Sequence, residues 1–213
     1  MGLMGSENIS QAIIGFLTYL PGLLIAISFH ELAHGYMAYL QGDDTAKLQG
    51  RLTIDPLAHI DPIGFLMLIF VGFGWAKPVQ INYNNLKNGR LSVFLVSIAG
   101  VTVNFIIAFL ATFLLLFLHN IGAHPIIFDM VRYLVMFNIV LGVFNLIPIP
   151  PLDGSKALGS LLPYKWELKL MQFERYGYIF LIVLLITGGI SKILGPIVYL
   201  ISNLFINIAS III

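Results

Sequence analysis

Four long apolar runs dominate the chain, at Ile13–Leu40, Leu91–Leu118, Ile126–Ile147 and Tyr178–Ile213, and most of the charge lies in the shorter stretches between them. A helix needs about 20 apolar residues to cross a hydrocarbon core of roughly 30 Å, so each run is long enough to span. The last is interrupted by Thr187-Gly188-Gly189 and reads as two short helices. Ile63–Phe73 is also apolar, but at 1.5 Å per residue it covers only about 16 Å as a helix, which predicts a re-entrant or tucked segment. Leu48–Ile54 and Lys77–Tyr83 alternate with a period of two, the pattern of short strands. The expected architecture is an all-α polytopic membrane protein with about five to six transmembrane or re-entrant helices and short β segments near the active site. It forms a single membrane-embedded domain over residues 1–213, with a core at about 13–162 and a C-terminal helical pair at about 173–213.

Composition agrees. Of 213 residues, 59% are hydrophobic and only 10% charged, against about 25% charged in a soluble globule, so the lipid bilayer is the expected solvent. A net charge of +1 with no basic tract excludes nucleic acid as a partner, because nothing is present to neutralise a run of phosphates. Met1–Gln11 holds Glu7 and no Lys or Arg; without the basic start of a cleavable signal, the first run is expected to be retained. The absence of cysteine removes thiolate ligands, disulfides and a cysteine nucleophile together. A metal here must be held by histidine and carboxylate.

Within the first apolar run stands His30-Glu31-Leu32-Ala33-His34. Residues four apart share a helix face, so His30 and His34 offer two imidazoles to one Zn²⁺, with Glu31 beside the open position as general base. Ionisable groups inside an apolar helix cost roughly 2 kcal/mol or more each on insertion scales, which makes such a cluster a functional hypothesis by default. The bland alternative, two histidines bonded to neighbouring helices, accounts poorly for Glu31.

A third ligand is needed. The extended HExxHxxGxxH form fails, since Met37 and Leu40 stand where Gly and His would be, and the next Glu residues are Glu167 and Glu174 in a polar interfacial segment. Among Asp43, Asp44, Asp55, Asp61, Asp129 and Asp153, the last has the most distinctive setting, after Asn145-Leu146-Ile147-Pro148-Ile149-Pro150-Pro151-Leu152. Three prolines in four positions cannot continue a helix. Non-helical backbone at membrane depth is tolerated only where it is buried in protein or lines a wet cavity, so the break marks a site wall. Gly154 after it is free to take a positive φ. The competing role for Asp153 is a cap on a helix starting at Ser155.

Ser28-Phe29-His30-Glu31-Leu32-Ala33-His34-Gly35, with Asn145-Leu146-Ile147-Pro148 and Leu152-Asp153-Gly154, resembles the site-2 protease family of intramembrane zinc metalloproteases. The resemblance runs from Ile13 to about Leu162 and includes Gly100-Val101-Thr102-Val103-Asn104, where relatives carry a Gly-Pro-x-x-Asn-like segment and this chain has Val101 for the proline. No PDZ insertion or nucleotide-binding regulatory tail is evident, so the chain looks like a minimal member. The resemblance implies one zinc ion per chain on His30, His34 and Asp153, and Glu31 as base. It also implies that Asn145 positions substrate or stabilises the oxyanion, for which an amide donor is suited; a helix-packing hydrogen bond is the other reading of Asn145.

Parity gives an independent check. His30 and His34 lie near the end of the first run and Asp153 just beyond the end of the third, so the two helices must run the same way with one crossing between them. Lys47, Arg51, Lys77, Lys87 and Arg90 then share a side with Lys156, Lys165, Lys169 and Arg175, while Asn120–Pro125 on the other side has neither Lys nor Arg. The positive-inside rule makes the first side cytoplasmic, with the N-terminus external, in a multi-pass protein of the cell membrane. Arg132 and Lys192 are exceptions that can snorkel. His34 and His30 are expected about 10 and 16 Å inside the helix end. His59, in Asp55-Pro56-Leu57-Ala58-His59-Ile60-Asp61-Pro62, has two readings, an alternative metal ligand or an organiser of its loop.

The function expected is an intramembrane zinc metalloendopeptidase acting on transmembrane proteins or peptides. The competing class is a non-catalytic zinc-binding membrane protein, such as a metal carrier or membrane chaperone.

Overall fold

A computed structural model describes residues 9–71 and 74–213. Its helices are α1 (Ile9–Leu40), α2 (Thr45–Leu48), α3 (Pro56–His59), α4 (Pro62–Val71), α5 (Arg90–Asn120), α6 (Pro125–Asn145), α7 (Asp153–Leu161), α8 (Tyr164–Gln172), α9 (Glu174–Ile186) and α10 (Gly189–Ile212). Four of them, α1, α5, α6 and α10, are long and apolar enough to cross a membrane. The C-terminal run does divide in two, at Gly188 with φ +70°. The halves are unequal, however, and α10 is a span of 24 residues rather than a short helix.

The expected strands do not form among the described residues, where the β pairing recorded outside any strand is an isolated bridge between Ile60 and Ala76. Local chemistry explains why. Leu48 closes α2, Gly50 turns the chain at φ +67°, and the Arg51 guanidinium donates to Lys77 O at 2.6 Å. Asp43 then collects Thr45, Asn82 and Asn85. Side chains, not a ladder, satisfy these two segments. The tucked segment is present as the ten-residue α4, about 15 Å long, started by Asp61 Oδ1 accepting from Gly64 N at 2.8 Å; Gly72 and Phe73 of the predicted range lie outside the described residues.

Side-chain contacts give the helix directions. Tyr19 of α1 meets Tyr133 and Phe137 of α6 with ring centroids 6.0 and 5.9 Å apart. Further along α1, Asn104 of α5 donates to Ala26 O and to Asn138 of α6, and His34 reaches back to Val96 of α5. Thus α1 and α6 run parallel with α5 antiparallel to both, as the parity argument requires. Ala108 and Ala111 pack with Val135, Ile139, Val143 and Leu194 into the core shared by α5, α6 and α10, while Leu17, Leu110, Ile179 and Leu200 stay exposed, as a lipid-facing surface would.

Candidate metal centre

His30 and His34 occupy successive turns of α1 and are both buried. The irregular Leu146–Leu152 link brings Asp153, first residue of α7, against them. The two Nε2 atoms lie 3.0 Å apart, and Asp153 Oδ2 lies 3.1 Å from His30 Nε2 and 2.9 Å from His34 Nε2. No side-chain cap is found on α7, whose cap position is Leu152. The carboxylate is spent on the histidines instead.

The protons on these rings follow from their other partners. His34 Nδ1 lies 2.7 Å from Val96 O, a carbonyl that only accepts, so Nδ1 carries the hydrogen. Asn104 Nδ2 donates to Ala26 O at 3.0 Å and to Asn138 Oδ1 at 2.8 Å, which turns its Oδ1 toward His30 Nδ1 at 2.6 Å; that nitrogen also donates. With neutral rings, both Nε2 atoms present lone pairs to each other and to a carboxylate oxygen. Three lone pairs at this spacing repel unless a cation lies among them. Two imidazoles and one carboxylate, with the far nitrogen of each ring anchored by an acceptor, suit zinc with a coordination position left open. His30, His34 and Asp153 form the candidate metal cluster found among the described residues.

Two glycines permit this approach. A Cβ on Gly100 would lie 2.5 Å from His34 Nε2 and 2.7 Å from His30 Nδ1, so only glycine lets α5 pass against the imidazoles. Val101 continues α5, which is unbroken from Arg90 to Asn120. A Cβ on Gly154 would strike the Leu146 carbonyl. Its need for glycine is therefore close packing of α7 on the preceding link, not the positive φ expected, since Gly154 has none.

Glu31 Oε2 accepts from Val79 N at 2.8 Å. Asn145 donates to Leu141 O, one turn back on α6, at 3.1 Å, which leaves it outside the cluster. His59 is buried and its Nε2 bonds Thr53 O at 2.8 Å; it organises its loop and is not among the clustered ligands. Asp55 accepts from Leu57 N and Asp61 from Gly64 N, so these carboxylates are engaged elsewhere. Sequence reasoning missed Asn138, Val96 O and Val79 N. Asn138 was findable as one of two amides, with Asn145, in the third apolar run; the backbone groups leave no residue-type signal.

Residues 120–188 match the profile described as Peptidase family M50. The "Putative zinc metalloprotease YwhC" of Bacillus subtilis is 42% identical over 180 residues, covering 82% of each chain. The "Putative zinc metalloprotease Rip2" of Mycolicibacterium smegmatis is 29% identical over 86% of this chain and 72% of its own. The "Zinc metalloprotease MJ0392" of Methanocaldococcus jannaschii is 30% identical over 87% of this chain and 43% of its own. No solved structure matches.

Proposed function

The chain belongs to peptidase family M50, the site-2 proteases, as a zinc metalloprotease of the membrane, and on that premise we propose that it hydrolyses peptide bonds in or near transmembrane segments of membrane proteins. The observation that supports this most directly is the meeting of His30 Nε2, His34 Nε2 and Asp153 Oδ2 within 3.1 Å, inside a bundle of candidate spans, with Glu31 next in sequence.

In this reading His30, His34 and Asp153 hold one zinc ion per chain. The ion supplies Lewis acidity that polarises a carbonyl and acidifies water. Glu31 takes a proton from the attacking water and passes it to the leaving amine. The Val79 N–H donates to Glu31 Oε2 and so holds the carboxylate in one orientation. No acyl-enzyme is needed. Asn145 is the candidate oxyanion donor, and to serve it must swing its amide from Leu141 O. The site faces the cytoplasmic side of the cell membrane, with the N-terminus external, by the positive-inside rule.

The test is zinc content and cleavage measured on the same detergent-purified samples. Wild type and Glu31→Gln should each hold one zinc, Asp153→Ala should lose most of it, and only wild type should cleave a transmembrane substrate. Substantial cleavage by Glu31→Gln would remove that residue from the role of base. Full zinc in Asp153→Ala would remove the third ligand.

A further inference from the structure

A cavity of about 90 Å³ opens between α1, α4 and the Gly74–Ala76 segment, walled by Leu24, Phe65, Leu68 and Trp75. Two polar side chains also line it, Ser28 and His59. They are 2% and 0% exposed. His59 Nε2 bonds Thr53 O, a carbonyl that only accepts, so Nε2 bears the hydrogen and Nδ1 a lone pair; that Nδ1 has no partner among the described residues. Ser28 Oγ has none either. Helical hydroxyls usually bond the carbonyl four residues back, and Thr18, Ser97, Thr102 and Thr112 all do so here. Ser92, Ser155 and Ser160 are satisfied by other acceptors, whereas Ser28 is the buried helical hydroxyl left without a partner among the described residues. One lone pair and one hydroxyl are thus held unpaired in an apolar chamber, where leaving them so is costly.

The chamber sits beside the proposed general base. Ser28, Glu31 and Gly35 form one stripe of α1, spaced by three and four residues. Glu31 on that stripe bonds Val79, and Gly35 packs against Val79. The chain leading to Val79 forms the cavity wall at Gly74–Ala76. Ser28 and Glu31 are three residues apart on α1, an axial rise of about 5 Å, the scale of one to two residues of extended peptide.

We propose that this cavity is a specificity pocket for one substrate side chain flanking the scissile bond, and that it selects a short aliphatic side chain bearing a hydroxyl, threonine foremost. The threonine O–H donates to His59 Nδ1, and its oxygen accepts from Ser28 O–H, while its methyl meets the apolar wall. Valine has nearly the same shape and leaves both groups unpaired. Sites built to bond a substrate hydroxyl reject the analogue lacking it far more strongly than apolar pockets reject a missing methylene. The inference rests on the protease reading.

The experiment uses a single-span model peptide with Thr, Val, Ala or Leu placed in turn at each of the three positions on either side of its cleavage site, and zinc-loaded full-length protein. At one position Thr should exceed Val in kcat/KM by about tenfold or more. Ser28→Ala should collapse that ratio to within about twofold at wild-type zinc content, and Leu68→Trp, which narrows the chamber without touching either polar group, should favour Ala over Thr, Val and Leu. Cleavage by wild type with Thr and Val equal at every position overturns the pocket alone, as water then fills it. A Thr preference that survives both variants places the selectivity elsewhere and also overturns it. No cleavage of any peptide by zinc-replete wild type overturns the protease reading, and this inference with it.

Discussion

His30 is held by a side chain and His34 by a backbone carbonyl, so the two imidazoles differ in how easily substitution can disturb them. Asn104 is the accessible point: its amide accepts from His30 while bonding Ala26 O and Asn138. Partners that orient a ligating histidine typically carry 10–100-fold in metal affinity. Asn104→Leu should therefore weaken zinc binding by about that factor, measured by competition with a chelator, while Asn104→Asp, which keeps the acceptor, should retain more. At this scale the sequence was most readable where residue type carries chemistry. His30, Glu31 and His34 stand out as ionisable groups in an apolar run, and Asp153 by the prolines before it. Val96 O and Val79 N were not readable, because any residue supplies a backbone group and only the packed helices decide which one faces the ring or carboxylate.

Among the elements, the long spans were legible because apolar length alone predicts them, and α4 because its length rules out a crossing. The segments around Leu48–Ile54 and Lys77–Tyr83 were misread because period-two alternation also occurs where an irregular chain lies with one face on a helix. What orders them is Asp43, fully buried. Burial alone would raise its pKa, but hydrogen bonds from Thr45, Asn85 and Asn82 outweigh that and hold it below the usual carboxylate value. A depressed native pKa means that this carboxylate contributes stability above about pH 4, and that the contribution is lost as pH falls through the native value. Asp43→Ala should cost about 2–3 kcal/mol at pH 7. Melting of both proteins in detergent checks it: the gap should be full at neutral pH and narrow in acid. Gly100 is the other element-level constraint. With a Cβ this close to the imidazoles, Gly100→Ala must push α5 off α1, and zinc content should fall with it.

For the whole molecule, the parity argument read from the sequence matches the parallel α1 and α6 with α5 between them. Polypeptide direction in the bilayer is a further step. A single cysteine in place of Asn120, in this cysteine-free chain, should react with an impermeant thiol reagent added to intact cells; protection would invert the orientation. The C-terminal pair was legible as a break at Gly188 but not in its proportions, because apolar composition continues on both sides of the glycine. Asp153 meets histidines 119 and 123 positions earlier in the chain, and only after α5 and α6 are in place. During synthesis the first helix is therefore made carrying two histidines and a glutamate without the third clustered residue, Asp153, and about seven tenths of the chain must be made before the cluster can close. On the proposed reading the cluster cannot close before that late moment, so the order in which residues leave the ribosome sets when the site can form.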